Sequence, residues 1–101
     1  MAYTNDDRLQ VATQATSGVL TAGTFTSTSS ALLRAANTHR QVLTVFNQGP
    51  GTLYVLYGEG TASTTNYSVI LLPYTALELP FYQGEVRAIF SSAGTAKITE
   101  L

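Results

Sequence analysis

From Gln41 onward the chain is cut into short runs of β-branched, aromatic and other apolar residues, each closed by a turn signal. "QVLTVFN" stops at Gly-Pro-Gly and "TLYVLY" at Gly-Glu-Gly; "YSVILLP", "TALELP", "VRAIF" and "AKITEL" follow. Runs of this length and composition, bounded by Gly, Pro, Asn and Ser, read as β-strands. Inside them the side chains alternate with a period of two. Leu53, Val55 and Tyr57 oppose Tyr54 and Leu56; Leu77 and Leu79 oppose Glu78; Val86, Ala88 and Phe90 oppose Arg87 and Ile89. "ALLRAA" (31–36) and "SGVLTA" (17–22) are weaker strand candidates. A helix over 31–36 would run for only about six residues, which is marginal on its own. Strands spaced at about ten residues predict an all-β fold: a single antiparallel β-sandwich or jelly-roll-like barrel of about seven to eight short strands with an extended N-terminal arm.

A chain of 101 residues is one domain, large enough to bury its own core. We place the arm at residues 1–16 and the sandwich at 17–101. The first thirty residues are rich in Thr, Ser and Ala, and Leu9 and Val11 are the arm's candidate contact residues. Such a segment suits an arm that pairs with a sheet edge on a neighbour and becomes ordered on assembly.

Several strands are apolar on both faces, which a sheet with one solvated side does not need. Their second face is expected to lie at the centre of the domain or against another subunit, and Tyr54 and Leu56 are the candidate interface residues of this kind. Charge supports the same reading. Only 11% of the chain is charged, against about 25% in typical soluble domains, so Thr, Ser, Asn and Gln carry the surface. That composition suits faces packed in a permanent assembly.

The glycine clusters around residues 46–60 raise the question of a phosphate loop. Such a loop needs a helix N-terminus and a lysine, and the one lysine is Lys97. "NQGPGT" therefore reads as a hairpin connection, with Pro50 setting φ and the glycines, Gly51 among them, free for positive φ. "YGEGTASTTN" reads as a longer connection of about ten residues. His39 is the one histidine, expected in an exposed loop. A triad with a serine and Asp6 or Asp7 has no nucleophile elbow to support it. Glu59, Glu78, Glu85 and Glu100 are scattered, without metal-ligand or glycosidase spacing. There is no cysteine, hence no disulfide and no thiolate site. The expectation is a protein that is not an enzyme, with no cofactor and no metal.

A net charge of −1 gives no footprint for nucleic acid or an anionic membrane. The start, "MAYTNDDRLQ", lacks the pattern of a secretory signal, so the expected compartment is the cytoplasm in which the chain is made. Tyr54, Tyr57, Tyr67, Tyr74 and Tyr82 gather in the second half; packing is their ordinary role, and stacking on sugars the other.

The stretch "RQVLTVFNQGPGTLYVLYGEGTAS", then "YSVILLP" and "LELPFYQGEVRAIFSSAGTAKITEL", resembles small β-sandwich structural proteins of tailed bacteriophage virions. The resemblance covers about residues 40–101 and lies in strand alternation and turns. It implies a virion component of the capsid decoration (cement) type, located on the particle. Its implied partners are the major capsid protein or other virion proteins, in a homo-oligomer or in many copies. The competing expectation is a tail- or fibre-associated carbohydrate-binding module, with a glycan as partner.

Overall fold

Eight strands and no helix make up the described part of the chain, residues 21–101 of a computed structural model. They are β1 Thr21–Phe25, β2 Ala31–Arg34, β3 Val42–Pro50, β4 Leu53–Tyr57, β5 Val69–Leu71, β6 Ala76–Pro80, β7 Val86–Phe90 and β8 Gly94–Glu100. The arm at 1–16, with Leu9 and Val11, lies outside the described residues. Of the segment "SGVLTA" only Thr21 and Ala22 are among the described residues, and they open β1.

The strands form two antiparallel four-stranded sheets, ordered β1-β8-β3-β6 and β2-β7-β4-β5. Consecutive strands switch sheets at every connection except β4–β5 and so interleave into the double Greek key of a jelly roll. Period-two alternation does the packing. Leu43, Val45, Ala96 and Ile98 from one sheet meet Leu53, Val55, Leu71, Val86, Ala88 and Phe90 from the other, all buried. Phe25 stacks on Phe90, their ring centroids 6.1 Å apart, and closes the core beneath the β1–β2 loop. Leu77 and Leu79 pack against this core, whereas Glu78 between them faces solvent.

Each end of the sandwich is tied by one buried polar side chain. At one end Arg40 is 1% exposed. It donates to Glu100 Oε2 at 2.6 Å and to the carbonyls of Ala35 (2.6 Å), Gly84 (2.9 Å) and Tyr82 (3.1 Å). These partners belong to the β2–β3 connection, the β6–β7 connection and the end of β8. At the other end Asn47 donates to the carbonyls of Gly51 (2.9 Å) and Leu71 (2.8 Å), and its Oδ1 accepts from Gly49 N–H at 2.7 Å. Buried polar groups with their hydrogen-bonding capacity met hold a single arrangement of the loops around them.

The Gly-Pro-Gly turn departs from expectation in two respects. It is not a hairpin connection, because β3 and β4 lie in different sheets and the turn carries the chain from one to the other. Positive φ belongs to Gly49, at 76°, and Gly51 is not in that region. Gly51 is needed for space instead: a Cβ there would be driven into the Ser92 carbonyl oxygen and come within 2.9 Å of that of Ala93. In the β4–β5 connection Gly58 and Gly60 do take positive φ, at 105° and 125°.

Candidate interaction surface

The outward faces of the two sheets differ in chemistry. On the β1-β8-β3-β6 sheet, cross-strand partners place Thr24, Lys97, Phe46 and Ala76 in one row and Ala22, Thr99, Thr44 and Glu78 in the next. These two rows are mostly polar. On the β2-β7-β4-β5 sheet one row reads Leu32, Arg87, Leu56 and the next Ile89, Tyr54, Ile70. Directly opposed residues of antiparallel strands share a face, so the only charge within these two rows is Arg87, which is paired with Glu85. Tyr67 packs edge-on against Tyr54, centroids 5.2 Å apart, and extends the patch past β5. Leu32, Tyr67 and Ile70 are exposed, as is Leu72 just after β5.

Tyr54 and Leu56 therefore stand where alternation puts them, on the outward face with Leu53 and Val55 buried behind. Alternation alone did not show that the neighbouring strands would present Leu32, Ile70 and Ile89 beside them. Four strands at about 4.8 Å and about five residues at about 3.4 Å make a face of roughly 20 by 17 Å, on the order of 330 Å². This is comparable to the largest apolar patch on an ordinary monomer, and such patches mark interaction sites.

The tyrosines do not form one platform. Tyr54 and Tyr67 lie on the apolar face. Tyr57 and Tyr82 pair at the Arg40 end, centroids 5.8 Å apart, where Tyr82 donates to the Glu85 carbonyl at 2.9 Å. Burial pushes the Tyr57 phenol above its ordinary pKa. Tyr74 is exposed at the Asn47 end.

The residues weighed for chemistry are dispersed. His39 is exposed in the β2–β3 connection. Glu100 is held by Arg40, with Arg34 at 3.8 Å, Glu85 by Arg87, and Glu78 is exposed on β6. Among the described residues no three of His, Cys, Asp and Glu gather in a metal-binding group, and no helix is long and apolar enough to cross a membrane. A cleft of about 470 Å³ between the β1 and β2 edges is lined by Thr21, residues 32–37 and Glu100.

No family model matches the chain, and no curated protein does. Among solved structures it is similar to a protein of Bacillus endospore appendages, which form a family of disulfide-linked pili. The match has a TM-score of 0.50 and 12% identity, and covers 81% of this chain and 84% of that one. At that identity the likeness is one of fold. The disulfide linkage of those pili has no counterpart in this sequence, which contains no cysteine.

Proposed function

We propose that the protein is a structural subunit held in many copies on a larger assembly, and that this assembly is the shell of a tailed-phage virion, which it stabilises as a decoration (cement) protein. It acts by surface contact, without a reaction. The observation that carries this reading is the apolar outward face around Tyr54 and Leu56, whose one charge is already paired. A face of that kind gains from being covered, and pairing with Glu85 spares Arg87 the larger cost of being buried alone.

Its size speaks for many copies. At roughly 330 Å² by strand spacing, it falls short of the about 800 Å² per partner that a stable two-body interface buries. A subunit with one such face gains stable attachment by touching several neighbours, as on a closed shell. A pilus protein sharing the fold supports the view that this architecture tolerates repetitive assembly.

The test uses purified particles with and without the protein. Wild-type protein should co-sediment at stoichiometric copy number and raise the temperature of particle disassembly, since binding only the assembled form stabilises it by mass action. Tyr54→Glu and Leu56→Glu should weaken attachment at least about tenfold, because each buries an unpaired charge. Equal survival of loaded and bare particles refutes the cement role, and failure to co-sediment refutes the virion setting.

A further inference from the structure

Away from the apolar face, two residues hold a backbone conformation that bulky side chains avoid, kept there by backbone hydrogen bonds from Tyr74 N–H to Asn47 C=O, from Thr75 N–H to Leu72 C=O and from Phe81 N–H to Gln41 C=O. Tyr74 and Phe81 have φ of 66° and 65°, the left-handed region that bulky L-residues rarely enter. They are also the most exposed large apolar residues among those described, at 74% and 85%. Each stands immediately after a proline, Pro73 or Pro80, where glycine is the ordinary occupant of a positive-φ site. Strain retained at an exposed aromatic points to a role at that surface.

The two flank β6, an edge strand paired with β3 alone among the described residues. Thr75 C=O accepts from Asn47 N–H at 2.9 Å, and Phe81 N–H donates to Gln41 C=O at 2.8 Å. By antiparallel alternation the odd-numbered residues of β6 turn their backbone groups to β3, and Ala76 and Glu78 turn theirs outward. Between the two aromatic residues lies the open edge of β6, five residues or about 17 Å of extended chain, which offers the outward groups of Ala76 and Glu78 and the Pro80 carbonyl.

We propose that this edge receives residues 9–15 of a second copy of the chain as an added strand, with Tyr74 and Phe81 bracketing its ends. The inference rests on the assembly reading above and names one of its contacts. Pairing of β6 with β6 is disfavoured, since it sets Glu78 opposite Glu78 and offers Pro80 without a donor. The segment "LQVATQA" avoids both faults. It has no charge, proline or glycine, and it alternates Leu9, Val11, Thr13 and Ala15 with Gln10, Ala12 and Gln14. Seven extended residues span about 23 Å, enough to cover the edge of β6 and reach the aromatic residue at each end. Main-chain hydrogen bonds then hold the strand, and the apolar side of the segment meets the aromatic brackets. β6 and β1, which the segment precedes, are opposite edges of one sheet among the described residues.

Amide exchange on the full chain, dilute and concentrated with sedimentation velocity alongside, tests this. In the monomer the Ala76 and Glu78 amides should exchange freely while those of Leu77 and Leu79 are protected. In the assembly Ala76 and Glu78 should slow by at least about tenfold. Val11→Pro should remove that added protection without changing Tm. Tyr74→Gly with Phe81→Gly should weaken self-association by about tenfold and leave Tm equal or higher, because glycine relieves the strain. The proposal is overturned by unchanged exchange on assembly, by protection already present in the monomer, or by a chain that stays monomeric at every concentration. Particle attachment with an unprotected edge sinks this inference and leaves the structural reading standing; loss of both sinks both.

Discussion

Replacing Glu100 with glutamine removes the charge that balances Arg40 at 2.6 Å and also faces Arg34 at 3.8 Å. The substitution keeps the shape and an oxygen to accept the Nε–H, now 2.6 Å from Oε2. Among the described residues, it removes the only carboxylate beside a guanidinium whose side chain has no solvent exposure. Three carbonyl partners remain, so the cation is still hydrogen-bonded but no longer neutralised. Removing one partner of a buried pair costs about 3–5 kcal/mol. Here the surviving carbonyl dipoles and the partial exposure of Glu100 reduce the loss to about 2–3 kcal/mol, the worth of a charged hydrogen bond. At roughly 4–8 °C per kcal/mol for a domain of this size, Tm should fall by roughly 10–20 °C. Thermal and urea unfolding measure this, with exposed Glu78→Gln as a control expected within about 0.5 kcal/mol. A Glu100→Gln loss no larger than the control's would mean that the carbonyl dipoles alone hold the guanidinium, and the reasoning would be wrong.

Two further outcomes follow from geometry. Gly51→Val should destabilise by about 1–3 kcal/mol through collision with the β7–β8 turn, and Gly51→Ala should share most of that loss, because the clash begins at Cβ; a tolerated alanine in urea unfolding would refute the close approach. Tyr57→Phe should flatten the alkaline end of the stability curve. With the folded pKa raised by burial, the unfolded tyrosine ionises first, so the wild type loses stability as pH rises above about 10; equal slopes in both proteins would contradict that.

The existence of strands and the faces of their side chains were legible because alternation is local: consecutive Cβ atoms point to opposite sides whatever the partner strand. "TALELP" and "VRAIF" map almost residue for residue onto β6 and β7, and Tyr54 and Leu56 emerge on the outward side. "YSVILLP" was only partly legible. Pairing is confined to Val69–Leu71, since Tyr67 leaves the strand line to pack on Tyr54 and Leu72 and Pro73 begin the turn.

Strand order, and with it the site, was decided by tertiary structure. Arg40 reads in the sequence as one more polar residue of "NTHRQ"; its carboxylate partner lies sixty positions away, and only closure of the two sheets brings them together. Asn47 likewise looks like a turn residue until Leu71 and Gly51 converge on its amide. The need for glycine at 51 comes from the β7–β8 turn, and at Tyr74 and Phe81 the preceding proline signals a turn while the residue types themselves avoid the left-handed region. Period-two patterning tells a residue which side of its strand it occupies. Which strand lies beside it, and so whether Leu32, Tyr54, Ile70 and Ile89 form one apolar face or four separate residues, depends on pairings between distant segments that local chemistry does not specify.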